Sequence, residues 1–167
     1  MARKIDYINV LEKFSKNTLY SIGIEEEYMI CCPSTGNLIN RADQIIDQVS
    51  SNLLDGVDLS NRFSYELLLS EIESNTKVCY SSTEAIEYLR YLRNVLKQIG
   101  DKEKYKIGIS GTHPFANTDN QTFVDNESYN WVSKQLKYYA TQNVTFSTHI
   151  HIGVKCPEEA IKITNSI

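Results

Sequence analysis

The chain has 167 residues, 41% of them hydrophobic and 23% charged, with a formal net charge of −4. That length encloses one ordinary core, and the balance is that of a globular domain. Lys and Arg are scattered, no apolar run approaches the ~20 residues of a bilayer span, and Met1 to Tyr20 has no continuous apolar signal core; we therefore expect no nucleic-acid or membrane partner and a cytoplasmic protein.

Between Ile5 and Phe14, apolar Ile8, Leu11 and Phe14 predict a short amphipathic helix within a helical extension over 1–19. From Tyr20 to Cys32 the period changes to two. Ile22, Ile24, Glu26, Tyr28 and Ile30 share one face of a strand, and Ser21, Gly23, Glu25, Glu27 and Met29 share the other. Pro33-Ser34-Thr35-Gly36-Asn37 is a turn, after which Leu38 to Asn40 returns antiparallel. Ile45, Ile46, Val49 and Leu53 predict a helix over Arg41 to Leu54. Asn61 to Cys79 reads as interrupted extended structure. Ser81-Ser82-Thr83-Glu84 is a capping-box pattern before a helix with the stripe Ala85, Ile86, Leu89, Leu92, Leu96 and Ile99, stopping at Gly100.

Tyr105, Ile107 and Ile109 predict a short strand entering the loop Gly111 to Ala116, and Tyr129 to Ala140 a helix marked on one side by Trp131, Val132, Gln135, Leu136 and Tyr139. In the last strand Val144, Phe146, Thr148, Ile150, Ile152 and Val154 face one way and Thr145, Ser147, His149, His151 and Gly153 the other. Pro157, with Glu158 and Glu159 behind it, opens a final helix. Four cysteines show neither zinc spacing nor a disulfide framework and read as reduced thiols. The economical architecture is α+β, a mostly antiparallel curved sheet with helices on one face.

If the apolar strand faces pack under helices, Glu25, Glu27, His149 and His151 project together from the other side. A solvated sheet face needs no ligand to explain its Glu residues, so burial decides. Two carboxylates ~7 Å apart repel by ~0.6 kcal/mol in water and by ~2.4 kcal/mol at an effective dielectric of 20. With Glu66 and Glu73 in the same recess, a cation becomes necessary. Carboxylates with an imidazole suit Mg²⁺ or Mn²⁺, and zinc is disfavoured by the lack of a thiolate pair or an HExxH helix.

Four motifs occur in one order: Ser21-Ile22-Gly23-Ile24-Glu25-Glu26-Glu27-Tyr28, Glu66-Leu67-Leu68 with Ser70-Glu71-Ile72-Glu73, Gly111-Thr112-His113-Pro114-Phe115-Ala116, and His149-Ile150-His151-Ile152-Gly153-Val154. In order and approximate spacing the chain resembles the glutamate–cysteine ligase type 2 and related carboxylate–amine ligases. The resemblance implies half of a glutamine synthetase-like catalytic domain, with 20–167 its N-terminal part and the C-terminal half absent. It implies ATP as co-substrate, Mg²⁺ or Mn²⁺, and phosphorylation of the glutamate side-chain carboxylate, then attack by cysteine or another amine, as in the first step of glutathione synthesis. Carried over by residue, Glu25, Glu27, Glu66, Glu73 and His149 resemble metal ligands. Glu25, Glu27, Glu73 and His149 carry the catalytic role, His149 and His151 the nucleotide, and His113 and Thr112 the substrate. Glu26 turns to the core side, able to pair with a cation there.

Three departures accompany the resemblance. Glu66 and Glu73 are seven apart, so one uninterrupted strand would put them on opposite faces and a bulge or break must intervene. Glu71 stands where Gln is expected, and Lys77 where Pro is usual. The expectation is an incomplete ligase, inactive alone, that forms a homodimer or takes a complementing C-terminal half. The alternatives are a non-catalytic metal-binding or regulatory αβ module, and an αβ interaction domain with a solvated acidic face.

Overall fold

A computed structural model of the chain describes residues 20–51 and 57–167. The amphipathic helix expected at 5–14 and the end of the one expected to reach Leu54 lie outside the described residues. The organising element is β1 (Ile22–Cys31), where the alternation read from sequence holds: Glu26, Tyr28 and Ile30 are buried on one side. One flank of β1 pairs antiparallel with β3 (Glu71–Asn75), and β3 with the short β2 (Phe63–Ser64). The other flank is shared. β4 (Lys106–Gly108) pairs with Met29 to Cys31, and β5 (Thr148–Ile152) with Ile22 to Glu26. The result is α+β, a five-stranded antiparallel sheet with helices packed on it.

Two helices make the main core with β1. From α1 (Ala42–Ser51) come Ile45 and Val49, and from α2 (Ser82–Glu103) Leu92, Leu96 and Ile99, which meet Tyr28, Ile30 and Ile72. The predicted cap is present: Ser81 Oγ accepts from Glu84 N–H at 3.1 Å, and Glu84 Oε2 accepts from Tyr80 N–H at 2.8 Å. Gly100 is not the stop. The helix continues to Glu103 and ends on Lys104 in the left-handed region, while Gly100 is the point where Tyr105 packs against the helix; an added Cβ would lie 2.8 Å from the Tyr105 ring. Glu26 points into the core side, as read from sequence, where it accepts from the Arg93 guanidinium and from the Tyr28 hydroxyl. This ion pair ties α2 to β1.

Helices are not confined to one face. Tyr28 to Cys31 is an unbroken run of apolar and thiol side chains, so both faces of β1 are covered there. Met29 packs with Leu67, Leu68, Val144 and Phe146, and Tyr129 and Val132 of α3 (Glu127–Leu136) close over this second cluster. That contact corrects the predicted stripe: Trp131 is 64% exposed, with Leu136 and Tyr139 also exposed. The helix breaks at Lys137, which has φ 48°, into α4 (Tyr138–Thr141), so one straight helical stripe never forms.

The last strand is also corrected. Phe146 packs on Met29, the face of β1 that also carries Glu25 and, across the ladder, His149. Phe146 and His149 are an odd number apart, so the alternation breaks between them. Ser147 supplies the break, accepting from Glu27 N–H at 3.0 Å and donating its own N–H to Glu27 Oε2 at 2.7 Å. Phe146 therefore does not share a face with Ile150 and Ile152, which are 65% and 48% exposed rather than packed under helices. A final helix, α5 (Pro157–Thr164), starts at Pro157 as read. Among the described residues no helix is long and apolar enough to cross a membrane.

Candidate metal centre

Strand register gathers the first two carboxylates. Glu27 of β1 lies directly opposite Glu73 of β3, so their side chains leave the same face as near neighbours. Glu66 arrives from outside the ladder. The chain leaves the sheet after β2, reverses and re-enters at Glu71, which is the break that the seven-residue offset requires. One carboxylate oxygen each from Glu27, Glu66 and Glu73 then lies within 4.8 Å of the others.

Each of the three is fixed through one oxygen. Glu27 Oε2 accepts from Ser147 N–H at 2.7 Å, Glu66 Oε2 from Leu67 N–H at 2.7 Å, and Glu73 Oε1 from Ser64 Oγ and Asn75 Nδ2 at 2.8 and 2.9 Å. A carboxylate has a second oxygen to spare for a ligand. Burial raises the pKa of Glu27, and the neighbouring Glu73 and Glu25 add to this against the Ser147 N–H. Burial likewise raises Glu66, reinforced by Glu27 and Glu73. Among the described residues no Lys or Arg forms an ion pair with any of the three. Two full charges at this spacing repel by at least ~3 kcal/mol at an effective dielectric of 20. The donor set is all oxygen, anionic and preformed, which fits a hard divalent cation such as Mg²⁺ or Mn²⁺.

Glu25 belongs to a different group. His151 Nε2 lies 3.0 Å and His149 Nδ1 3.3 Å from Glu25 Oε2, and the His151 contact, with His149 behind it, lowers the Glu25 pKa. His149 also reaches toward the triad, its Nε2 4.0 Å from Glu27 Oε1. It sits on the rim, half exposed, between the two groups. His113 and Thr112 make their hydrogen bonds to backbone instead. His113 Nδ1 accepts from Phe115 N–H at 3.3 Å, which leaves Nε2 as the donor to Gly36 O at 2.9 Å, and Thr112 Oγ1 donates to Val144 O at 2.8 Å. Both contacts fasten the loop from Gly111 to the hairpin turn and to the 144–146 segment.

Two participants, Ser64 and Tyr129, carry no signal in the sequence. Tyr129 reads as a helix-surface residue, yet burial and the nearby Glu66, Glu73, Glu71 and Glu27 push its hydroxyl up to about 12. It donates to Tyr65 O at 3.2 Å, bracing the backbone beside Glu66. Glu71, marked in the sequence only as a departure from Gln, is 2% exposed, with burial pushing its carboxyl up to about 8.

Comparison with known proteins identifies the family. The family model described as glutamate-cysteine ligase family 2 matches residues 21–167. A Rubrobacter xylanophilus protein whose name carries the words glutamate–cysteine ligase 2-1 is 34% identical over 151 residues, which is 90% of this chain and 39% of that protein. A Solibacter usitatus protein similarly named as a glutamate–cysteine ligase 2 is 34% identical over 146 residues, covering 87% of this chain and 37% of its own length. A Salmonella choleraesuis relative with the same wording is 27% identical over 157 residues, 94% of this chain and 41% of its own. The chain thus spans about two fifths of the length of these relatives.

Proposed function

This chain belongs to glutamate–cysteine ligase family 2, and from that premise we propose that Glu27, Glu66 and Glu73 hold a divalent cation, Mg²⁺ or Mn²⁺, for ATP-dependent joining of glutamate to an amine. The observation that carries the reading is the convergence of three carboxylates within 4.8 Å, with no Lys or Arg among the described residues paired to them. Such an ion offsets triphosphate charge and aligns an in-line transfer when bound. In the proposed reaction a glutamate side-chain oxygen takes the γ-phosphoryl group and ADP leaves. The amine nitrogen of cysteine or a related molecule then attacks the acyl carbon, losing a proton as phosphate departs with the C–O electron pair.

The chain's own contribution is positioning. Ser147 N–H, Leu67 N–H, Ser64 and Asn75 each hold a carboxylate oxygen, so the ligand set is ordered before anything binds. In this reading His149, at the rim with its Nε2 4.0 Å from Glu27 Oε1, meets the nucleotide, and His151 contacts Glu25 at 3.0 Å. Because the relatives are more than twice as long, turnover is proposed for a protein of their length, with this chain supplying the cation-holding face. The test is ATP consumption with glutamate and cysteine by such a protein, with and without Mg²⁺. Glu27→Gln should abolish it. A metal-binding module without catalysis predicts cation binding, lost in the same variant, and no ATP turnover under any condition.

A further inference from the structure

The reversal that delivers Glu66 has an unusual closure. Glu71 N–H donates to Leu68 O at 3.0 Å, and Leu68 N–H donates back to Glu71 Oε2 at 3.2 Å. The four residues from Leu68 to Glu71 are therefore closed by backbone on one side and by a side chain on the other. Leu67, immediately before this ring, supplies the N–H that holds the Glu66 carboxylate. Neighbouring contacts hold the same stretch from outside: Val124 N–H donates to Leu67 O, Leu69 N–H to Thr122 O, and Tyr129 Oη to Tyr65 O. None of them fixes the Leu68 N–H. Among the described residues Glu71 alone does that.

Glu71 is also an expensive choice for a turn. It is 2% exposed, its Oε1 has no hydrogen-bond partner among the described residues, and Glu66 and Glu27 lie close enough to repel it. Leaving a buried polar atom unpaired is costly, and local rules of this kind are broken chiefly at functional sites. We propose, resting on the cation-site reading above, that Glu71 is a positioning residue of that site: its reciprocal hydrogen bonds with Leu68 set the reversal that returns Glu66 to the face of Glu27 and Glu73. What the position needs is an acceptor for Leu68 N–H, and Gln supplies one as well as Glu does.

Mn²⁺ affinity, read from the free-ion signal in electron paramagnetic resonance, tests this on the purified chain. Wild type should bind and Glu27→Gln should not. Glu71→Leu, which removes the acceptor, should bind at least tenfold more weakly than wild type, whereas Glu71→Gln should stay within threefold. In a Glu66→Gln background, Glu71→Leu should add no further loss, a non-additivity that general destabilisation would not produce. If wild type binds no Mn²⁺, the cation reading fails and this inference falls with it. If wild type binds and Glu71→Leu stays within twofold, or its loss is undiminished in the Glu66→Gln background, the positioning role alone is refuted. Should Glu71→Leu not fold, Glu71→Gln decides: near-wild-type affinity supports the acceptor role, and a tenfold loss overturns it.

Discussion

Two acidic groups lie side by side on one face of β1, and they differ in what balances them. Glu25 is partly exposed and in contact with two imidazoles, so its charge is answered within the protein. Glu27, one alternation along, is largely buried beside Glu66 and Glu73, and among the described residues only His149, at 4.0 Å, stands against three carboxylates. Residue type is the same at both positions, and environment separates them. Burial without compensation makes a site that demands a ligand, and exposure with compensation makes a support.

The largest expected effect follows from that contrast. Glu27→Gln or Glu73→Gln should weaken Mn²⁺ binding by about a hundredfold or more, while Glu25→Gln should cost about fivefold or less, because only the first two remove a converging oxygen. Titration of the three variants by calorimetry checks the ranking, and equal losses would erase the distinction between the groups.

Acid should act on the two groups in opposite senses. Glu27 and Glu66 have raised pKa values in the folded chain, so the native state binds more protons than the unfolded one above the ordinary carboxylate value. Without metal, their contribution to stability is present at low pH and is lost as pH rises through the raised values. Glu25 is lowered, so its contribution is present above the ordinary value and is lost as pH falls below it. Melting profiles between pH 3 and 7 in metal-free buffer should therefore rise in relative stability toward neutral pH for Glu27→Gln and fall in relative stability for Glu25→Gln. Profiles parallel to wild type in both would break the comparison.

A smaller effect tests the bracing of Glu66. Tyr129→Phe removes the hydrogen bond to Tyr65 O but keeps the ring on the Met29 cluster, and should cost about 1 kcal/mol of stability with a threefold or smaller loss in Mn²⁺ affinity. Denaturant unfolding followed by the same titration measures both.

What could be read in advance follows the range of the signal. β1, the α2 cap, the Pro157 helix start and the inward turn of Glu26 are local patterns, and all stand in the fold. The need for a break between Glu66 and Glu73 was legible from the odd offset alone. Its construction was not, because the Leu68–Glu71 closure is made by a side chain that looks like any strand residue. Alternation continued through Ser147 put Phe146 on the wrong face, since nothing local marks a break imposed by Glu27 on another strand. The helical period at Trp131 was real but misassigned. Which side of that helix packs is set by the distant Met29, Leu67 and Phe146.

The most direct test is thermal unfolding of the chain with and without saturating Mg²⁺. Binding at a hundredfold excess over the dissociation constant adds about 2.7 kcal/mol to the native state, which at this size raises the midpoint by about 5–10 °C. A rise of that order in wild type, absent in Glu27→Gln and Glu73→Gln, is the predicted result. No shift in wild type, or the same shift in all three, would contradict a cation held by these carboxylates.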